Sequence, residues 1–181
     1  METNLTQEQI ENIQIDYGMV FANYGELDAR RIGPTKGGAE FNATKNIRDI
    51  EFDGMLGKSK GMQVIDEMNA SLKFSILDTS LETLALTMPQ ADYNETTKVL
   101  KNNLGGAIPA SKYLKNITMF AKVMNGKYKK ITLFNALNES DFVLSSAPKA
   151  EGEIALEIFA HWDPTNMSDL YSIEDVTSIT P

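Results

Sequence analysis

Residues 62–78 read Met62-Gln63-Val64-Ile65-Asp66-Glu67-Met68-Asn69-Ala70-Ser71-Leu72-Lys73-Phe74-Ser75-Ile76-Leu77-Asp78. Met62, Val64, Met68, Ala70, Leu72, Phe74 and Ile76 alternate with Gln63, Glu67, Asn69, Ser71, Lys73 and Ser75. A side-chain period of two sends the two sets to opposite faces of a pleated strand, so this stretch predicts a long strand with one buried and one wet face. Asp66 falls on the apolar register and Ile65 on the polar one. The start of the strand is therefore expected to be bulged, to be covered by another subunit, or to lie a few residues further along.

Downstream, Thr79-Ser80-Leu81-Glu82 has capping-box spacing, and Leu81, Leu84, Ala85 and Met88 follow at i, i+3, i+4 and i+7 before Pro89 stops the helix. Lys115 to Met124 and Lys127 to Leu137 flank Asn125-Gly126, which predicts a β-hairpin closed by a type I′ turn. Gly152 to Trp162 alternates again and is ended by Asp163-Pro164. Further strands are expected near Gly18 to Leu27, Ala39 to Thr44 and Phe142 to Ser145. The fold class is thus mainly β: two packed antiparallel sheets, as a sandwich or partly closed barrel, flanked by one short α-helix. Residues 44–61 are rich in charge and glycine and predict a long loop; residues 1–14 and 164–181 read as arms on a single domain spanning 1–181.

The chain has 181 residues, enough to bury a sizeable core without covalent staples. It has no cysteine and one histidine, His161, which excludes disulfides, thiolate metal sites and Cys/His nucleophile systems. Residues 1–29 carry acids and no Lys or Arg, the opposite of a signal or transit peptide, so cytoplasmic synthesis is expected; no apolar run is long enough for a membrane helix. The net charge of −8 is unevenly spread. Between Thr96 and Asn138 there are eight lysines and no acid, which leaves −16 on the rest. The bland reading is a solvated face; the sharper one is that a basic segment meets an acidic neighbour between subunits. Specific duplex binding does not fit an acidic chain without a basic stripe interleaved with aromatics.

Catalytic motifs are missing. Gly57-Lys58-Ser59 has the ending of a phosphate-binding loop, but Phe52 stands where that motif needs glycine, and Gly33 to Gly38 lacks dinucleotide-loop spacing. No cofactor is implied. Asp49, Glu51 and Asp53 could offer oxygens to a hard cation, yet on an extended segment they read first as a wet acidic rim. His161 beside Trp162 and Asp163 lacks a nucleophile and reads as a locally bonded strand-end residue.

Several pieces recur in order: Ile32-Gly33-Pro34-Thr35-Lys36-Gly37-Gly38, then Arg48-Asp49-Ile50-Glu51-Phe52-Asp53-Gly54, then Lys60-Gly61 ahead of Ile65-Asp66-Glu67, with Ala160-His161-Trp162-Asp163-Pro164 closing the last strand. In this order they resemble the major tail tube proteins of long-tailed bacteriophages. The resemblance implies a structural subunit and no enzyme: copies close into rings, six in the resembled family, and the rings stack into a virion tail that conducts the genome. It implies as partners the chain itself, other tail proteins (terminator, tape measure, tail tip) and double-stranded DNA passing without specific binding, and no membrane. The tube protein of type VI secretion is similar in architecture. On this reading Arg48, Asp49, Glu51, Phe52, Asp53, Met55, Leu56, Lys58 and Lys60 belong to a loop, mobile in the free subunit, that contacts the next ring. Glu67, Asn69, Ser71, Lys73 and Ser75 line the lumen. Charge segregation places Lys127, Lys129 and Lys130 on the outer face or against an acidic neighbour. The alternatives are a β-sandwich module binding carbohydrate or protein and, behind it, a hydrolase.

Overall fold

The computed structural model describes residues 5–102, 105–148, 150–166 and 168–180. In chain order the elements are α1 (Gln7–Glu11), β1 (Gln14–Ala22), β2 (Arg30–Ile32), β3 (Thr35–Asp49), β4 (Gln63–Ile76), α2 (Leu81–Thr87), β5 (Ala91–Asn94), β6 (Val99–Asn102), a 3-10 turn (Ala110–Lys112), β7 (Leu114–Val123), β8 (Tyr128–Asn138), β9 (Ser145–Ala147), β10 (Ala150–Phe159) and β11 (Tyr171–Val176). The chain is mainly β, as its patterning predicts. Every pairing is antiparallel, and nine strands form one sheet in the order β2-β1-β7-β8-β10-β4-β3, with β11 beside β8 and β9 beside β10. The sheet does not close into a barrel; β5 and β6 form a separate two-stranded sheet.

The layers are made by one strand changing partners. The first part of β8 lies between β7 and β11, while its end, Leu137 and Asn138, pairs with Phe159 and Ile158 of β10. Between these halves Asn135 has φ +47°, a left-handed conformation that a short polar side chain tolerates best after glycine. Its Nδ2 donates to the His161 carbonyl at 3.2 Å and so ties the bend to the chain leaving β10. Leu72, Phe74 and Ile76 of β4 and Ile154, Leu156 and Ile158 of β10 then face Val20, Ile117, Met119 and Leu133 of the other layer in one buried core. Each such side chain contributes about 1.5–3 kcal/mol relative to an exposed one.

β7 is buried on both faces, which is why it reads as a near-continuous apolar run. Its second face holds Phe120 edge-on to Phe21 and Tyr24, with centroids 5.9 and 5.0 Å apart, and the Tyr24 hydroxyl donates to the Thr180 carbonyl. Asn116 closes the same corner by accepting from Tyr24 N at 2.9 Å and donating to Tyr24 O at 3.1 Å. Helix α2 is capped by Ser80, whose side chain accepts from Thr83 N; the cap thus sits one residue later than the Thr79 spacing suggests. The buried Thr83 hydroxyl donates to Asp78 at 2.6 Å and accepts from Arg30 at 2.8 Å, which joins the helix start to β2.

Several boundaries differ from the sequence reading. Residues 44–49 are not loop but the end of β3, because pairing with β4 continues to Asp49↔Gln63; the loop proper is 50–62. The N-terminal arm holds α1, whose Thr6 and Gln9 form a complete capping box, and Ile13 and Glu11 carbonyls accept from Met124 and Asn125 N–H groups at the β7–β8 turn. The C-terminal arm contains β11, laddered to β8 from Tyr171↔Leu133 to Val176↔Tyr128. The β7–β8 hairpin is present, but its turn is not type I′. Gly126 is left-handed (φ +82°) and Asn125 is not; Gly126 N donates to Val123 O and Val123 N to Lys127 O, a three-residue loop in which glycine takes the positive-φ position.

Candidate functional site

The β3–β4 hairpin outgrows the core it is rooted in. Phe41↔Leu72 and Ala43↔Ala70 are its last pairs against the body; beyond them residues 63–69 of β4 and 43–48 of β3 are exposed, so the hairpin stands out as an arm. The bulge expected from the register break is there. Asn46 pairs with Glu67 and Ile47 with Ile65, so Asp66 is the extra residue. Its carboxylate accepts from Arg48 Nε at 2.9 Å and Nη2 at 3.2 Å, a two-point clamp across the strands. That bond holds the guanidinium more firmly protonated than usual.

The arm's end is organised by its own hydrogen bonds. Ile50 N donates to Met62 O at 2.7 Å, Met55 N to Phe52 O at 3.1 Å, and Gln63 Nε2 bridges Asp49 Oδ1 (2.7 Å) and Ser59 O (2.9 Å). The bond from Gln63, with Lys58 3.5 Å away, holds the Asp49 carboxyl below the usual range. These partners take up the one acid of the Asp49, Glu51, Asp53 set that lies in the strand. Among the described residues no three His, Cys, Asp or Glu side chains gather as a metal site. The arm's apolar side chains have no such partners: Ile47, Ile50, Phe52, Leu56, Val64, Ile65 and Met68 are exposed, Leu56 fully. They lie on both faces of the ribbon and at its tip, so no single solvated face accounts for them.

Glu67, Asn69, Ser71, Lys73 and Ser75 share the face of β4 opposite the core, as the alternation predicts, but that face is not wet throughout: Ser71 is buried beneath its neighbours, with its hydroxyl 3.4 Å from Glu157. Cross-strand neighbours neutralise its lysines: Lys73 lies 3.2 Å from Glu157, and Lys36 lies 3.3 and 3.7 Å from Glu151 and Glu153. The bond from Lys36 adds to a backbone hydrogen bond in holding the Glu151 carboxyl low. Lys36, Lys73, Glu40, Asp141, Glu153 and Glu157 line an open hollow of about 610 Å³ whose carboxylates outnumber its ammonium groups.

The lysine-rich segment meets acids inside the chain. Lys129 pairs with Asp175 and Lys130 with Glu174 on β11, Lys115 with Glu26, and Lys112 with Asp92; Lys127, at the turn, is exposed. The sequence could not show this because β11 was read as an arm. His161 is bonded locally, Nδ1 3.1 Å from Asn135 O and Nε2 2.9 Å from Glu139, with its ring edge-on to Tyr113. The feature sequence reasoning missed is a groove at the arm's root that places Trp162 and Tyr171 beside Thr44, Lys45, Met68 and Asp169. Trp162 and Tyr171 are distant from the arm in sequence; the pairing of β10 with β4, which runs on to Ala160 N and Ala70 O, brings the first there, and the return of β11 along β8 brings the second.

No family model and no curated protein matches the chain. Among solved structures it is similar to a chain in the cryo-EM structure of the anti-feeding prophage (AFP) baseplate, 6-fold symmetrised, with a TM-score of 0.52 and 11% identity over 99% of this chain and 100% of that one. A chain in the crystal structure of Hcp protein matches with a TM-score of 0.33 and 9% identity over 89% of this chain and 99% of that one, too loosely to carry an argument. At such identities the first likeness is one of fold.

Proposed function

We propose that this chain is a structural subunit of a tail-type assembly, of the phage or contractile-injection kind, and that it acts by associating with its own copies rather than by turning over a substrate. The observation that carries the reading is the β3–β4 arm: an ordered ribbon leaving the body with apolar side chains exposed on both faces and at the tip. A ribbon of that composition is stable as an interface and a liability as a free surface. The fold shared with a baseplate chain that belongs to a 6-fold symmetrised particle supports it. So does the end of the main sheet, where β3 pairs with β4 on one side and with no strand on the other among the described residues.

In its finer form the proposal is a tube subunit. Copies close into rings, six by the resemblance of the sequence motifs, and rings stack with the arm between them, since one heterologous contact can close a ring while another extends it along an axis. The wet face of β4 would line the channel. Its ion-paired lysines and surplus carboxylates suit a wall that a polyanion passes without being held. Replacing residues 47–65 by a two-residue Asn-Gly turn tests the reading: the variant should melt normally, stay soluble and fail to polymerise, as followed by light scattering and negative-stain microscopy. Polymers of normal length from the arm-less chain would contradict it.

A further inference from the structure

The arm has a tip without a partner and a root with an empty groove. We infer that they are the two halves of one contact, so that the tip of one copy, Phe52 and Leu56, seats in the Trp162 groove of a second copy; this rests on the self-assembly reading above. Two adjoining hollows of about 510 and 360 Å³ share Met68, Asn69 and Trp162, and Trp162 is 45% exposed between them. At the tip Phe52 is 50% exposed and Leu56 is fully so. The groove cannot hold its own tip. Thr44 lies at the groove and Ile50 starts the loop, and six residues of extended chain span about 20 Å of laddered ribbon. The occupant must come from another copy.

Charge favours the pairing at two contacts, although Asp169 also lines the first hollow and Asp66, clamped to Arg48, the second. Glu51 and Asp53 flank Phe52, and Lys45 stands in the first hollow; none of the three has an ion pair among the described residues. Lys60 follows Leu56 at the tip, and Glu67 lines the second hollow. A tip lowered into the groove sets acids against Lys45 and Lys60 against Glu67. Each copy offers one tip and one groove, so the contact propagates from copy to copy unless two copies exchange tips reciprocally and close as a dimer.

Trp162 is the chain's only tryptophan and reports on the groove directly. In the full-length protein its emission should shift to shorter wavelength as association proceeds. Two variants divide the contact: Phe52→Ser with Leu56→Ser removes the tip but keeps the groove, and Lys45→Glu with Met68→Glu spoils the groove but keeps the tip. All four positions are exposed, so both variants should melt like the parent. Neither alone should shift its emission at any concentration, whereas an equimolar mixture should, giving tip-to-groove pairs that extend no further through this contact. Reversing charge at Lys45 alone should weaken association by up to about fivefold, and reversal at Glu51 and Asp53 should restore it. If the parent polymerises while its tryptophan emission stays fixed and both variants polymerise alongside it, the pairing is wrong and the assembly reading survives. If the parent never associates, both fall. If an oligosaccharide shifts the emission of the monomer while protein concentration does not, the groove is a sugar site and the pairing is again overturned.

Discussion

Phe52→Ala with Leu56→Ala should abolish association while leaving the fold almost untouched, and Leu72→Ala should do the reverse damage. Leu72 is fully buried on the core face of β4, between Phe41 of β3 and Ile158 of β10. Emptying such a site removes the transfer free energy and leaves a cavity, together roughly 2–5 kcal/mol. For a domain of this size each kcal/mol moves the melting temperature by about 2–4 °C, so the shift should be roughly 4–20 °C. Phe52 and Leu56 lie on the same hairpin but far out along it, and exposed substitutions change stability by about 0.5 kcal/mol or less each. Their double variant should melt within about 4 °C of the parent. Thermal melting of the unassembled protein, paired with sedimentation velocity at several concentrations, separates the two effects. A tip variant that melts as low as Leu72→Ala would mean that the arm folds back on the body, and the case for an external ribbon would be lost.

Three further outcomes follow from local chemistry. Asp78, held below the usual carboxylate range first by the Thr83 hydroxyl and then by Ser80 and Arg30, contributes stability that is fully present above its unfolded pKa near 3.9 and is lost as pH falls through its lower folded value. Asp78→Asn should therefore cost about 1–2 kcal/mol at pH 7 and distinctly less at pH 3, read from denaturant curves at both; an equal loss at both would show that the charged form is not what matters. Asn135→Ala should destabilise more than Asn135→Gly, since both lose the bond to His161 O and only alanine adds strain of about 1–2 kcal/mol at φ +47°; equal melting temperatures would refute the strained corner. Lys129→Glu with Lys130→Glu sets like charges against Asp175 and Glu174, so amide exchange over 171–176 should accelerate while the core strands stay protected. Unchanged exchange in β11 would show that the pairs do not hold it.

How far the sequence could be read depended on whether local pattern or distant pairing decided the structure. The alternation from Met62 to Ile76 gave β4, and the misfit of Ile65 and Asp66 marked its bulge, because a period-two break is visible wherever an extra residue is inserted. The hairpin around Asn125-Gly126 was legible, but the turn type was not: glycine needs the left-handed position either way, and only the bonds from Gly126 N and Val123 N distinguish the loops. Polarity misled at two places, one in the arm and one near the C-terminus. Residues 44–49 look like loop because neither face meets the core, yet cross-strand pairing alone keeps them extended. β11 was hidden for the same reason, since Tyr171–Val176 is largely exposed and is held by its ladder and two ion pairs. The Trp162 groove could not be inferred, being assembled from β3, β4, the end of β10 and the start of β11, which only long-range pairing brings together.

The most direct measurement is electron microscopy of the purified chain at rising concentration, with averages computed from whatever particles form. The account predicts closed rings that stack, with each β3–β4 arm reaching from one ring to the next and the β4 face bearing Ser71, Lys73 and Ser75 turned to the channel. A protein that stays a monomer up to millimolar concentration, or an assembly in which the arms point freely into solvent, would contradict it.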